Sequence, residues 1–264
     1  MRTIKLLIAY DGTDFCGWQK QTEAAAGEGA PRRPPERTVQ AVIENALFRM
    51  HGHKVALTGA GRTDSGVHAA GQVANFSTTI KNIEPGRFVP ALNGFLPRDV
   101  RIIKSEEVDP DFHARFDACM RTYRYYFICG RQAMPHESRY ALQLWNIPPV
   151  NLLNSYCRLL QGERDCSVFA GAGDSSLSRI RHISRAVFFA ERDRLVFEIS
   201  ANAFLRKMVR SVTGTFLHYG GCNCSPEQMK KIIDSCDRSL AGPTLPPHGL
   251  FLRKVDYFGA NKLY

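Results

Sequence analysis

Residues 59–72, GAGRTDSGVHAAGQ, carry the densest group of chemically useful side chains in the sequence. A glycine-rich turn can bind phosphate through its backbone N–H groups, but the order of residues here does not fit a phosphate loop. A Walker A loop needs Lys and then Ser or Thr after its last glycine, whereas Gly66 is followed by Val67 and His68; the dinucleotide fingerprint needs glycine in place of Asp64. The spacing leaves two interpretations of Asp64: a carboxylate that stabilises a turn, or one that a bent loop presents to a bulky ligand.

The elements predicted around this motif are strands and amphipathic helices. TIKLLIAY, residues 3–10, is an apolar run that ends at an Asp-Gly turn signal, which predicts a buried strand. Thr38 as N-cap, an apolar face at helical spacing and Gly52 predict a helix over 38–51. The other predicted strands are 72–78, 100–108, 121–129, 185–191, 195–201 and 249–258, and the other predicted helices are 88–97, 152–160, about 203–218 and one that begins at Ser225. Strands outnumber helices and short turns join several of them, so the predicted fold class is α+β, with a mainly antiparallel sheet and helices on one side.

The charge balance points to a polyanionic partner. The 264 residues include 35 Lys and Arg against 25 Asp and Glu, a net charge of +10, and clustered cations bind nucleic acid by releasing counterions from its phosphates. Charge alone does not separate RNA from DNA or from an acidic membrane surface. The N-terminal apolar run is too short for a signal peptide and no stretch reaches membrane-spanning length. We therefore expect a soluble cytoplasmic protein of one large domain or two small ones.

The eight cysteines predict reduced thiols rather than a disulfide framework or a metal site. They are scattered without a Cys-x-x-Cys pair, as expected of thiols that pack as small hydrophobic side chains in a reducing compartment. His218, Cys222, Cys224 and Cys236 form the closest group, and their spacing matches no common zinc pattern. The sequence therefore predicts no bound metal.

Residues 22–37, TEAAAGEGAPRRPPER, are rich in Ala, Gly, Pro and Arg and contain almost no core-forming side chains. This composition is typical of a surface loop, and the prediction is a mobile insert. Its arginines, Arg32, Arg33 and Arg37, either lie in solvent or contact a phosphate backbone.

Seven segments together resemble the TruA family of tRNA pseudouridine synthases. In chain order they are YDGTDFCGWQKQ, RTVQAVIENAL, GAGRTDSGVHAAGQV, LNGFLP, FHARFDACMRTYRYYF, ANAFLRKMVRSVTG and GLFLRKVDY. Each segment is weak evidence by itself, but seven in the family's order across nearly the whole chain are specific. The resemblance implies a cofactor-free isomerase that converts uridine to pseudouridine around positions 38–40 of the tRNA anticodon stem-loop. It also implies a homodimer whose chain has two related α/β halves around a central cleft, here 1–108, which holds the motif and the insert, and 109–264.

By the same resemblance Asp64 is the catalytic residue. Pseudouridine forms when the C1′–N1 bond breaks, the uracil turns and C5 bonds to C1′, without net redox change. A carboxylate can serve as nucleophile at C1′ or as base at the sugar, so the chemistry needs neither metal nor cofactor; the two roles stay open. A glycosidase would normally add a second carboxylate as general acid, whereas this motif has one Asp without an acidic neighbour.

The resemblance assigns substrate binding to residues in other segments. Arg210 matches the arginine that pairs with the catalytic aspartate and keeps it ionised; Arg206, predicted one turn earlier on the same helix face, is the alternative. Tyr123 matches the tyrosine that stacks on the flipped base and can take the C5 proton. Arg62 is expected to contact the displaced or a neighbouring nucleotide. The weaker candidates, either pocket lining or core, are Phe204 and Leu205.

Three positions depart from the family pattern. Ser65 stands in place of the alanine common after the catalytic Asp, and Arg164 and Cys166 stand where His and Phe are usual, which leaves any role of those two positions open. The main alternative function is a non-catalytic tRNA-binding or RNA-chaperone module, which basic charge and an aromatic strand would serve equally well. The presence of Asp64 favours the enzyme, because a binding module needs cations but has no use for this carboxylate.

Overall fold

The computed structural model describes residues 1–20 and 37–258. It contains two compact units: residues 1–118 with the described residues from Tyr257 on, and Cys119–Asp256. The predicted insert 22–37 lies outside the described residues except for Arg37. That arginine forms an ion pair with Asp99, 2.8 Å between Nη1 and Oδ2, and its guanidinium lies 4.0 Å from the centre of the Phe15 ring.

The first unit is a small sheet with two helices. Its elements in chain order are β1 (Arg2–Tyr10), α1 (Val39–His51), β2 (Thr58–Gly59), β3 (His68–Thr78), α2 (Phe88–Asn93) and β4 (Val100–Val108). Strand β1 is central and pairs antiparallel with β3 and β4, and β2 pairs with β3. Every second residue of β1 from Ile4 to Ile8 is fully buried, namely Ile4, Leu6 and Ile8, which confirms the strand predicted over 3–10.

Helix α1 is fixed at both ends by the residues that the sequence indicates. The Thr38 hydroxyl accepts a hydrogen bond from the Ala41 N–H, so it satisfies a donor that the first turn leaves without a helical partner. Gly52 ends the helix at φ 74°, a conformation that L side chains rarely adopt, and its N–H donates to the Phe48 carbonyl. The predicted helix over 38–51 is confirmed.

The second unit is a longer sheet with three helices. Its elements are β5 (Ala118–Cys129), β6 (Leu142–Leu144), α3 (Val150–Leu160), β7 (Gly162–Asp165), β8 (Ile180–Glu191), β9 (Arg194–Ala201), α4 (Met208–Gly221), α5 (Pro226–Asp234) and β10 (Leu250–Tyr257). The strand order is β10-β5-β9-β8-β7, with β6 parallel to β5, and β9 pairs antiparallel with both β5 and β8. Tyr125, Phe197 and Phe188 face each other in register across β5, β9 and β8 and are almost fully buried, so an aromatic row forms the core beneath these strands.

The α+β prediction is confirmed at this level, since the chain has a largely antiparallel sheet with five helices in its described part. The predicted helix over 203–218 is wrong at its start. Lys207 has φ 59°, in the left-handed region, so the chain turns there and α4 begins only at Met208. The predicted helix over 88–97 ends at Asn93, and β3 begins at His68, four residues before the predicted strand. Of the described helices, α4 is the longest at 14 residues, and none is sufficiently long and apolar to span a bilayer.

Two asparagines connect helices to strand backbones. On α2, the side chain of Asn93 donates to the Ile102 carbonyl and accepts from the Ile102 N–H, both at 2.9 Å. On α3, Asn154 makes the same pair of bonds to Phe188, at 2.9 and 2.8 Å. Each carboxamide satisfies one donor and one acceptor of a strand residue, which otherwise would lack partners where the helix covers the sheet.

We expect Asn154→Asp to destabilise the protein by about 1–3 kcal/mol, because it places a carboxylate oxygen against the Phe188 carbonyl and removes the donor. Urea unfolding followed by circular dichroism measures this loss. The control is Asn151→Asp on the same helix, an exposed residue whose side-chain oxygen accepts only from the adjacent Leu152 N–H and is retained in Asp. Equal stabilities of the two variants would contradict the role of the carboxamide.

Candidate catalytic loop and substrate-binding residues

The loop that carries Asp64 is held by the segment 11–18, which follows β1. The Trp18 N–H donates to the Thr63 carbonyl at 3.2 Å, and the N–H of Gly66 donates to the Phe15 carbonyl at 3.2 Å. The Ser65 hydroxyl donates to the same Phe15 carbonyl at 3.1 Å. The residues on both sides of Asp64 are therefore fixed through the backbone, and Ser65, a departure from the family pattern, contributes one of the bonds.

Glycines allow these two segments to touch. A Cβ on Gly12 would lie 2.0 Å from the Val67 carbonyl oxygen, and one on Gly17 would lie 2.6 Å from that of Thr63, where φ is also 99°. Both distances are shorter than real Cβ contacts, so only glycine permits the approach. Within the loop, a Cβ on Gly59 would meet the Trp18 ring at 2.5 Å, whereas one on Gly61 would have no described atom within 4 Å. The close contacts at Gly12, Gly17 and Gly59 therefore all lie between segment 11–18 and the loop.

Buried polar side chains also form hydrogen bonds that fix the loop and the segment before it. The Tyr10 hydroxyl lies 2.8 Å from the Thr63 hydroxyl, and burial raises the pKa of this phenol although the hydrogen bond lowers it. Gln72, fully buried, donates to the Gly61 carbonyl at 2.9 Å. His68 is also fully buried, and its Nδ1 accepts the Gly12 N–H at 2.9 Å. These contacts give His68 a structural position beneath the loop.

Asp64 itself is half-buried at the turn, and its carbonyl accepts the Val67 N–H at 3.2 Å. Arg62, two residues earlier, is exposed. The arrangement presents one carboxylate from a backbone that cannot shift without breaking several contacts. Such a carboxylate can act as a nucleophile or as a base on a ligand positioned against the loop.

In the second unit, Tyr123 lies on β5 opposite Ile199 of β9 and is 8% exposed. The ring of Phe204 meets it edge to face, with centroids 5.1 Å apart and planes at 86°. Edge-to-face contact holds an aromatic ring in orientation. The sequence of β5 predicts that Arg121, Tyr123, Tyr125 and Phe127 share one face. The three aromatic residues of this set are buried, whereas Arg121 is only half-buried.

Arg210 lies in the first turn of α4, where its Nε donates to the Leu245 carbonyl at 2.7 Å. The Leu245 N–H in turn donates to the Arg210 carbonyl at 3.3 Å. Arg206 is exposed and lies outside the helix, so the prediction that it shares a helix face with Arg210 is wrong. The physical reason is the left-handed Lys207, which separates them. Leu205, between Phe204 and this turn, is buried.

The remaining departures from the family pattern, Arg164 and Cys166, and His113 of the segment FHARFDACMRTYRYYF all make structural contacts. Cys166 is fully buried, and burial raises the pKa of its thiol to about 12, so it packs as a small hydrophobic side chain. Arg164 lies on β7 opposite Arg181. The Nδ1 atom of His113 accepts the N–H groups of Arg115 and Phe116, each at 3.2 Å. All eight cysteines are free thiols, and the described part of the chain holds no group of three or more His, Cys, Asp or Glu side chains that could bind a metal.

Sequence analysis missed two features of the site. It used Gly12 only as part of the Asp-Gly turn signal and of a family segment, and Gly17 only as part of that segment, so it did not predict the close backbone approach that both glycines allow. It also missed Asp174, whose carboxylate accepts the Arg206 N–H. A single Asp in a Gly- and Ser-rich stretch resembles any turn residue, so no sequence signal identifies that contact.

Comparison with known proteins supplies the family. A family model described as tRNA pseudouridine synthase matches residues 6–117 and 156–258. The tRNA pseudouridine synthase A of Treponema denticola is 49% identical over 256 residues, which cover 97% of this chain and 93% of the relative. That of Treponema pallidum is 47% identical over 248 residues, covering 94% and 85%. That of Caldicellulosiruptor saccharolyticus is 40% identical over 258 residues, covering 97% and 100%.

The family model covers the Asp64 loop and the start of α4, and each of the three relatives aligns over at least 94% of this chain. The resemblance carried by the seven segments is confirmed. The chain therefore belongs to the tRNA pseudouridine synthase family.

Proposed function

We propose that this chain, an isomerase of the tRNA pseudouridine synthase family, uses Asp64 to convert uridine to pseudouridine at positions 38–40 of the tRNA anticodon stem-loop. The observation that carries the assignment is the loop geometry. Asp64 is half-buried between backbone segments fixed by the Thr63 and Phe15 carbonyls, and glycines make that contact possible. A turn residue with no chemical role would not require this many restraints.

The reaction balances without an added reagent. The C1′–N1 bond breaks, the uracil turns in place, the C1′–C5 bond forms, and the proton on C5 leaves while N1 gains one. Asp64 either attacks C1′ and forms a covalent adduct that the turned base later displaces, or removes a proton from the sugar so that the base leaves and returns that proton to the sugar when C5 bonds to C1′. Both routes use one ionised carboxylate and need neither metal nor cofactor.

The remaining site residues are proposed as substrate contacts. Tyr123 would stack on the flipped uracil, since its ring is held in orientation by Phe204. Arg210, fixed by the Leu245 carbonyl, is proposed as the cation that keeps Asp64 ionised, and Arg62 as a contact to the displaced or a neighbouring nucleotide. Arg206 becomes the weaker candidate for the partner of Asp64, because it lies outside α4. Leu205 is proposed to support the pocket from the core side.

Several finer predictions belong to the same proposal. They are the two related α/β halves around a central cleft, the division at 1–108 and 109–264, helices on one side of the sheet, the homodimer and the cytoplasmic location. The second candidate function is a non-catalytic tRNA-binding or RNA-chaperone module, which the net charge of +10 would serve equally. The family match favours the enzyme, and the variants below separate the two functions.

Asp64→Asn should abolish catalysis while tRNA binding persists, because the amide keeps the shape of the side chain but is neither nucleophile nor base. We expect the single-turnover rate of pseudouridine formation to fall at least about a thousandfold, with the dissociation constant for tRNA within about threefold. Mass-tagged sequencing of an anticodon stem-loop substrate measures the product. The matched control is Asp111→Asn, an exposed aspartate of the same unit, which should retain full activity. Pseudouridine made by Asp64→Asn at the wild-type rate would overturn the assignment.

Tyr123→Phe should separate stacking from proton transfer. The phenyl ring keeps its contact with Phe204, so we expect tRNA affinity within about twofold, and loss of the hydroxyl should slow product formation roughly tenfold or more. Tyr123→Leu should also weaken binding by about tenfold, since base stacking is lost. Tyr126→Phe, on the same strand, is the control and should match wild type. An active Tyr123→Phe enzyme at wild-type rate would remove the hydroxyl from the mechanism.

Binding of tRNA should depend steeply on salt. If about four phosphates are contacted by Lys or Arg, affinity falls roughly a hundredfold between 50 and 200 mM monovalent salt, because released counterions must be recaptured. Filter binding with a labelled anticodon stem-loop across this range measures the slope. A dissociation constant that stays constant over the range would contradict recognition through the phosphate backbone.

A further inference from the structure

Residues 171–174 bind the backbone of Arg206 from both sides. The Asp174 carboxylate accepts the Arg206 N–H through Oδ2, and the Gly171 N–H donates to the Arg206 carbonyl at 2.8 Å. The Arg206 side chain follows the same loop, since its Nη1 donates to the Ala172 carbonyl at 3.2 Å. One short loop thus satisfies both backbone groups of a residue that belongs to no helix or strand.

Gly171 and Gly173 lie so close to Arg206 and Lys207 that a side chain at either glycine would meet them. A Cβ on Gly171 would lie 2.9 Å from the Arg206 carbonyl oxygen and 3.1 Å from the Lys207 Cβ. A Cβ on Gly173, at φ 74°, would lie 3.0 Å from the Arg206 Nη1. Any larger side chain at Gly171 would therefore displace the residues that precede α4.

The carboxylate of Asp174 is itself tightly held. Its side chain is 3% exposed, and its Oδ1 lies 2.9 Å from Nη1 of Arg179 and accepts the Ser176 N–H at 2.8 Å. Burial raises the pKa of Asp174, but the N–H groups of Arg206 and Ser176, together with the Arg179 guanidinium, lower it by more, and the net direction is downward. The group is thus an ionised acceptor with both oxygens in use.

Arg206 stands between two candidate substrate contacts. On its N-terminal side, Phe204 packs edge to face against Tyr123. On its C-terminal side, Lys207 takes the left-handed conformation that starts α4, and Arg210 follows in the first helical turn. Lys207 offers no side-chain cap to the helix. The N–H of Met208, the first residue of α4, donates to the Leu205 carbonyl at 3.1 Å, so the start of α4 is joined to the turn by the backbone.

We propose that Asp174 is a positioning residue for catalysis, which fixes the turn 204–207 and through it the placement of Phe204 and Arg210. The proposal rests on the proposed function, since it assigns those residues to substrate binding. Asp174 touches no reacting atom. Its effect is on the orientation of groups that contact the substrate, and such misplacement reduces the rate of the chemical step more than it reduces affinity.

The test is Asp174→Asn, which keeps the side-chain shape but turns one acceptor oxygen into an NH₂ group that faces an N–H donor. Hydrogen exchange followed by mass spectrometry should show roughly tenfold faster exchange in a peptide covering 204–210. The single-turnover rate on the anticodon stem-loop should fall about tenfold, with the dissociation constant within about threefold. Gly171→Ala displaces the same turn from its other side and should change both measurements in the same direction, so it decides the matter if Asp174→Asn does not fold.

Asp193→Asn is the matched control, because Asp193 also pairs with an arginine of this unit, 2.6 Å from Nη2 of Arg131, but is 59% exposed in the β8–β9 turn. The proposal would be overturned if Asp174→Asn and this control showed the same hydrogen exchange in residues 204–210 and the same single-turnover rate. Faster exchange with an unchanged rate would also overturn it, because Asp174 would then be structural only. If the wild-type chain forms no pseudouridine, the proposed function fails, and the exchange arm still decides whether Asp174 fixes the turn.

Discussion

The direct contact between the backbones of residues 11–18 and the Asp64 loop is the constraint on which the first unit depends. Backbone atoms can approach this closely only where side chains are absent, and Gly12 and Gly17 provide two such points. The bonds from Trp18 and Gly66 then use groups that a loop would normally leave to water. A catalytic carboxylate benefits from such a support, because a reacting group must be held in place before the substrate arrives.

In the second unit, the turn around Arg206 is held by a different kind of contact. Around Arg206 the restraint is a buried, ionised carboxylate with both oxygens in use, and the neighbouring turn adopts a left-handed conformation at Lys207. Such a conformation costs on the order of 1 kcal/mol for a residue with a Cβ and persists where the surroundings determine it. Charge-assisted hydrogen bonds are about twice as strong as neutral ones, and here they offset the free-energy cost of the left-handed conformation. In the first unit, glycines allow two backbones to touch, and in the second a carboxylate accepts a backbone N–H. Both arrangements fix a loop that carries candidate site residues.

The sequence predicts the parts of this fold whose causes are local. Helix α1 carries its own N-cap at Thr38 and its own stop at Gly52, and the apolar run of β1 and the aromatic residues of β5 predict buried strands. The predicted start of α4 is wrong because the turn at Lys207 depends on hydrogen bonds to Arg206 from Gly171 and Asp174. Those residues lie far from Lys207 in the sequence, so the local pattern does not show them. Strands β2, β6 and β7 have two to four residues, too few for a period to appear. In the site, spacing alone left Asp64 undecided between a turn and a reagent, and only distant segments in family order favoured the reagent.

Several arginines form ion pairs with carboxylates, whereas two exposed arginines among the candidate site residues form none with the residues that the structure describes. Arginines along the sheet are compensated by carboxylates: Arg2 by Glu107, Arg124 by Glu198 and Arg131 by Glu137, each within 2.8 Å. The guanidinium of Arg206 has a neutral acceptor instead. Arg206 bonds to a carbonyl, and across the described residues neither it nor the exposed Arg62 forms an ion pair. A cation held by a neutral acceptor keeps its orientation and its full charge. A basic chain that binds RNA needs that combination, because a guanidinium already neutralised by a carboxylate would have to break the pair before it could replace a phosphate counterion.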